Sequence, residues 1–123
     1  MPKPLKIYAY SKCDTCRKAL RFLRDRNVAF HEVAIRDSPP SVSELKAMAA
    51  AYGTLRKLFN TSGGDYKALQ LSAKLPAMSE EEAFRLLASN GNLVRRPFVI
   101  GDGVHLVGFN VAEWEAALSG SNG

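Results

Sequence analysis

The first 35 residues read strand, helix, strand, and that order constrains the rest of the fold. Leu5 and Ile7 alternate with Lys6 and Tyr8, which predicts a short strand ending near Ala9. Cys16, Ala19, Leu20 and Leu23 then fall at i, i+3, i+4 and i+7, the apolar stripe of a helix. After a break at Arg26-Asn27, Val28, Phe30, Val33 and Ile35 predict a second strand. A βαβ unit of this kind implies a parallel strand pair with a right-handed crossover. A chain of 123 residues suits a single compact domain. With 46% apolar and 24% charged residues it should fold rather than stay disordered.

The middle of the chain changes to helical spacing. Ser41 with Glu44 spells a capping box, followed by Leu45, Met48, Ala49 and Tyr52 up to Gly53. Leu55, Leu58 and Phe59 form a shorter run that stops in Asn60-Thr61-Ser62-Gly63-Gly64. Ser79 and Glu82 spell a second capping box before Ala83, Leu86 and Leu87, with Asn90-Gly91 as the stop. Phe98, Val99 and Ile100 then follow Pro97 as a β run. Gly101-Asp102-Gly103 is a hairpin turn, and Val104 to Val107 should return antiparallel. Asn110 and Glu113 cap a last helix carrying Trp114, Ala117 and Leu118. The predicted fold class is α/β: βαβ, a helical insert, then ββα, packed as one four-stranded mixed sheet. That is the plan of a thioredoxin-like fold. The expected domain spans 1–118, with the insert at about 41–91 and a short flexible tail over 119–123.

Chemistry concentrates at the start of the first helix. The only two cysteines, Cys13 and Cys16, bracket Asp14 and Thr15 just after the first predicted strand. Free N–H groups and the positive end of the dipole stabilise an anion at a helix start, which lowers a thiol's pKa. Lys12 and Arg17 add positive charge nearby. Cys13 is therefore the expected attacking thiolate. Cys16 shares the helix's apolar face and should point inward as the resolving thiol of dithiol exchange. Two alternatives stand beside this reading. Cys16 could be a small core residue and Cys13 an incidental surface thiol. A zinc site would have to recruit His31 and His105, which lack paired ligand spacing, so no metal site is expected.

A second constellation is Arg95-Arg96-Pro97, just before the third predicted strand. Proline there cannot donate to a sheet ladder, and an X-Pro bond at a strand start suits a cis peptide. In a thioredoxin-like sheet this position faces the cysteine pair, so Arg96 could present its guanidinium to a thiolate or an oxyanion. Its alternative is a pair of solvated arginines. Arg17, Arg21 and Arg24 recur along the first helix as a solvated face or an acidic docking surface. Formal net charge is +5 and the isoelectric point about 9.4. That bias suits an anionic substrate or acidic partner, and no motif points to sequence-specific nucleic-acid binding. No apolar stretch has signal-peptide or transmembrane length, giving the expectation of a cytoplasmic protein without membrane partners. In a reducing compartment a close thiol pair points to redox or metal chemistry rather than a staple.

The segment Tyr10-Ser11-Lys12-Cys13-Asp14-Thr15-Cys16-Arg17-Lys18-Ala19 resembles the active-site start of the arsenate reductase/Spx (ArsC-like) family. Leu58-Phe59-Asn60-Thr61-Ser62-Gly63, Met78-Ser79-Glu80-Glu81-Glu82, Leu93-Val94-Arg95-Arg96-Pro97 and Val107-Gly108-Phe109-Asn110 match further landmarks in order. The resemblance implies a thioredoxin-like domain with a helical insert, and Arg96 falls on the family's Arg-Pro motif. Reductases of the glutaredoxin-linked branch use one cysteine and three arginines that grip the oxyanion. Only Arg96 matches here: the middle position falls near Asn60, with Arg56 a candidate substitute, and the last near Gly108. The cysteine pair resembles the Spx-like branch, which uses it as a redox switch and binds the RNA polymerase alpha subunit. The Asn60-Thr61-Ser62-Gly63 segment is closer to reductase-like members, and the last predicted helix is not followed by a long basic extension. The leading expectation is thus a monomeric thiol–disulfide oxidoreductase with no bound cofactor. Its catalytic set is Cys13, Cys16 and Arg96, and Lys12, Asp14, Thr15, Arg17 and Pro97 form their environment. Glutathione, glutaredoxin or thioredoxin would be the electron donor. The alternative is an Spx-like regulator.

Overall fold

The first strand, β1 (Leu5–Ala9), is paired along both edges. The computed structural model describes residues 4–119. In it β1 runs parallel to β2 (Phe30–Ala34) and antiparallel to β3 (Phe98–Gly101), and β3 pairs antiparallel with β4 (Val104–Val107). The sheet order is therefore β2-β1-β3-β4. Asp102 and Gly103 both take positive φ (49° and 79°), as the tight turn joining β3 to β4 requires. The second strand is shorter than predicted: Val28 precedes it, and Ile35, though fully buried, lies just beyond its end.

Alternation along β1 sorts the core into two layers. Leu5, Ile7 and Ala9 face α1 (Asp14–Asp25) and α6 (Val111–Ser119), packing with Cys16, Leu23, Val99 and Trp114. Tyr8 faces the other layer, with Phe98 and Val107. That layer is covered by α2 (Val42–Tyr52) and α5 (Glu80–Ser89), with the short helices α3 (Gly64–Ala68) and α4 (Leu71–Lys74) beside them. Single 3₁₀ turns complete the insert at Arg56–Leu58, Leu75–Ala77 and Gly91–Leu93. The fold is the expected thioredoxin-like α/β architecture. No helix among the described residues is long and apolar enough to cross a membrane. Helix α6 runs to Ser119, and the rest of the tail expected over 119–123 lies outside the described residues.

The helix starts follow their caps. Ser41 Oγ accepts from Glu44 N–H while the Glu44 carboxylate accepts from Ser41 N–H, a complete capping box. Glu44 also accepts from Tyr8 Oη at 2.6 Å and from Lys6 Nζ at 3.0 Å, which ties α2 to β1. The second box is only half formed. Ser79 Oγ accepts from Glu82 N–H, but its hydroxyl donates to the Glu82 carboxylate. Asn110 Oδ1 accepts from Glu113 N–H and caps α6. The only tryptophan, Trp114, is fully buried and donates its indole N–H to the Gly108 carbonyl.

Candidate functional site

Cys13 is the N-cap of α1. Its backbone is extended (φ −96°, ψ 118°), its N–H donates to the Tyr10 carbonyl, and its Sγ accepts from Cys16 N–H at 3.3 Å. One of the unpaired donors at the helix start is thus spent on sulfur. Cys13 is half-buried, whereas Cys16, one turn on, is completely buried under the sheet. Burial pushes the Cys16 thiol up to about 12. A main-chain hydrogen bond from Tyr10 works against that rise. The hydrogen bond to Cys13 and the charge of Cys13 add to it, and Arg96 again opposes it. Both thiols are free.

The facing wall is assembled from two segments more than 30 residues apart. Asn60 N–H donates to the Leu93 carbonyl at 2.8 Å, Arg95 N–H donates to the Leu58 carbonyl at 2.7 Å, and Phe59 bridges Val94 between them. This small antiparallel ladder sets the loop Asn60-Thr61-Ser62 beside Arg95 and Arg96. The Arg96–Pro97 peptide is cis, and Pro97 is buried with its carbonyl accepting from Gly108 N–H. Gly108 has φ +73°, and a Cβ there would come within 3.0 Å of Arg95 Nε. The missing side chain gives the Arg95 guanidinium room to lie over the turn.

Together these segments enclose an open cleft of about 450 Å³. Cys13, Thr15, Arg95 and Arg96 line it, with Asn60, Thr61 and Ser62 opposite and Phe59, Gly108 and Phe109 at its sides. Two guanidinium groups and no carboxylate line this space, a lining that favours an anion. Arg96 Nη1 is buried and lacks a hydrogen-bond partner. A buried donor left unpaired costs free energy that a bound anion would recover.

Of the residues expected here, Cys13, Thr15 and Arg96 line the cleft and Cys16 lies beneath it. Pro97 is buried at the entry to β3. Lys12, Asp14 and Arg17 are not in the lining. Asp14 and Arg17 instead form an exposed ion pair at 2.7 Å, the usual result of opposite charges three apart on a helix. Within the lining the positive charge comes from Arg95 and Arg96. Arg56, the candidate substitute for the middle arginine, is not in this lining and borders a separate hollow with Leu75 and Pro76. His31 and His105 lie on β2 and β4, the two edges of the sheet. Among the described residues, no group of three or more metal-ligating side chains comes together.

The ArsC family profile matches residues 8–117. The chain belongs to the ArsC family. A solved structure of an ArsC family related protein from Bacteroides fragilis superposes with a TM-score of 0.88 at 44% identity, covering 95% of this chain and 99% of that one. An arsenate reductase of Neisseria meningitidis is 32% identical over 96% of this chain and all of its own length. The global transcriptional regulator Spx of Enterococcus faecalis is 30% identical over 89% of this chain and 82% of its own. The ArsC-family chain thus resembles both reductase-like and Spx-like members. The doubled arginine before Pro97 is the sequence signal for Arg95. Asn60, Thr61, Ser62 and Phe109 stand in landmark segments, but their place around Cys13 depends on long-range pairing that no local pattern encodes.

Proposed function

We propose that this ArsC-family protein is a thiol–disulfide oxidoreductase in which Cys13 attacks, Cys16 resolves and Arg96 steadies the anionic species. The observation that carries this is the polarised pair: a half-buried sulfur at a helix N-cap, facing a cationic cleft, over a fully buried second thiol. The Cys13 thiolate displaces one sulfur of a substrate disulfide, forming a mixed disulfide and releasing the first thiolate. Cys16 then loses its proton to solvent and attacks the Cys13 sulfur. That step closes Cys13–Cys16 and releases the second thiolate. The substrate gains two electrons and the pair loses two. An external thiol reductant, glutathione or a glutaredoxin or thioredoxin, returns the pair to its starting state.

The electrostatics of Cys16 favour this order. Burial raises the Cys16 pKa most, and Cys13 adds to the rise through its hydrogen bond and charge. Once Cys13 is in a mixed disulfide its charge is gone, while Arg96 and the Tyr10 main chain still favour the Cys16 thiolate. The resolving thiol becomes easier to ionise at the step that uses it. Mass analysis after mild oxidation and alkylation tests the scheme, using the wild type, Cys13→Ser and Cys16→Ser. The wild type should form a reversible internal disulfide. Cys16→Ser should trap a mixed disulfide at Cys13, and Cys13→Ser should form neither. Turnover of disulfide substrates or arsenate under any of the three donors should depend on Cys13. Its absence under all of them refutes the enzyme reading.

The similarity to Spx supports a second reading, a redox-controlled regulator that binds the RNA polymerase alpha subunit. Binding of purified alpha subunit that differs between the reduced and oxidised forms would favour it. Lack of binding in either state refutes it.

A further inference from the structure

Tyr10 meets the cleft at two points. Its carbonyl accepts from Cys13 N–H. Its ring lies 5.0 Å from the Arg96 guanidinium carbon. The phenol is itself anchored: Arg36 Nη1 donates to Tyr10 Oη at 2.8 Å, and the Arg36 guanidinium carbon lies 4.9 Å from the ring centroid. Tyr10 and Arg36 also line a second hollow, on the side of β2, which is separate from the Cys13 cleft.

Arg96 needs such a support. Among the described residues no salt bridge engages it, and its Nη1 is buried without a hydrogen-bond partner. A long side chain with an idle guanidinium nitrogen loses little by rotating away, unless something holds its plane. An aromatic face does this without neutralising the charge, whereas a carboxylate would cancel the attraction for an anion. We propose that Tyr10, clamped by Arg36, is the positioning residue that holds Arg96 over the Cys13 cleft with its charge available. This rests on the reading of that cleft as the reaction site. Neither Tyr10 nor Arg36 touches the reacting sulfur through its side chain. Both act through Arg96.

The test compares alkylation of Cys13 by iodoacetate and by iodoacetamide at low salt. The two reagents attack the same thiolate and differ in charge, so their rate ratio cancels thiolate content and general access and leaves the local cationic field. Arg96→Met should lower the iodoacetate preference about tenfold, as loss of a charge-assisted contact. Tyr10→Leu should lower it about threefold to tenfold, the range of one cation–π contact. In the Arg96→Met background Tyr10→Leu should produce no further change. Tyr10→Phe keeps the ring and its contact with Arg36 and loses only the hydrogen bond that Arg36 donates. It should lower the ratio about twofold; Arg36→Met, which also loses the ring contact, should lower it at least as much, and the double variant should match Arg36→Met alone.

A ratio unchanged by Tyr10→Leu but lowered by Arg96→Met overturns the positioning role and leaves the proposed function standing. An equal drop with Tyr10→Leu in both backgrounds also overturns it, since Tyr10 would then act independently of Arg96. If Arg96→Met itself leaves the ratio unchanged, the assignment of Arg96 to the reaction site fails as well. Should Tyr10→Leu not fold, the Tyr10→Phe and Arg36→Met pair decides. No change in either overturns the clamp.

Discussion

Gly91 provides the sharpest quantitative test of the packing. A Cβ built on it would sit 1.8 Å from the Ile35 carbonyl oxygen and 2.7 Å from its carbon. Real Cβ contacts essentially never fall below 3.0 Å. Gly91→Ala therefore forces two stretches of backbone apart by roughly 1 Å or more, because no side-chain rotamer can relieve a clash between backbone atoms. Overpacking costs about 1–3 kcal/mol. Because the nearest atoms are main-chain atoms of Ile35 and Arg36, the upper end applies, so about 3 kcal/mol is expected and a fall in Tm of about 10 °C. The displacement also reaches the cleft, because the turn Gly91–Leu93 leads directly into the ladder that carries Arg95.

Two other glycines calibrate the measurement. Gly64 has nothing within 4 Å of its would-be Cβ and no left-handed φ. Gly64→Ala should be neutral or stabilising by up to about 1 kcal/mol through the unfolded chain. Gly53 also faces open space, but its φ of +77° closes α2 in the left-handed region. Gly53→Ala should cost about 1 kcal/mol from strain alone. Urea denaturation of the three variants should rank Gly91→Ala far below Gly53→Ala, and Gly53→Ala below Gly64→Ala. A Gly91→Ala protein within about 0.5 kcal/mol of the wild type would refute the close-approach argument.

Three further outcomes follow from named contacts. Burial acts to raise the Glu44 pKa, but hydrogen bonds from Tyr8, Ser41 N–H and Lys6 outweigh it and hold the carboxyl below its usual value. Its stabilisation is therefore present above the unfolded-state pKa and lost as pH falls through the folded one. Glu44→Gln should cost about 1–3 kcal/mol at neutral pH and flatten the acid limb of a stability–pH curve. Burial, with a hydrogen bond to Glu113, pushes the Tyr52 phenol up to about 12, and this hydroxyl also accepts from Val107 N–H. A raised acid pKa stabilises below the unfolded value and loses that benefit as pH rises towards the folded one. Tyr52→Phe should thus cost about 1–2 kcal/mol at neutral pH and lessen the alkaline loss of stability above about pH 10 in chemical denaturation. Arg95→Ala should weaken inhibition of Cys13 alkylation by sulfate about threefold to tenfold, whereas Arg17→Ala, removing an exposed ion pair outside the cleft, should leave it unchanged.

What was legible in the sequence follows from the range of the interactions involved. The β1–α1–β2 start, the three helices capped by Ser41, Ser79 and Asn110 and the hairpin are set by periodicity and by residues within a turn of one another, and each was readable. The helices α3 and α4 were not. The first buries no residue fully and the second only Leu71, and Gln70 between them takes a left-handed φ of 53°, so no apolar stripe marks either. The same division runs through the cleft. Cys13 and Cys16 declare their inequivalence locally, because the first is a cap and the second lies on the buried stripe. The source of positive charge does not. Lys12 and Arg17 are close to Cys13 in sequence, yet Arg17 meets Asp14 on its own helix, while Arg95 and Arg96 arrive from about 80 residues away. Nearness along the chain predicts caps and helix pairs, which are one-turn interactions. A cationic pocket over a sulfur depends on which strand follows the cis proline and on an aromatic ring such as Tyr10 to hold the guanidinium. Those partners are chosen by the sheet's topology, so charge near a motif in sequence is weak support for charge near it in space.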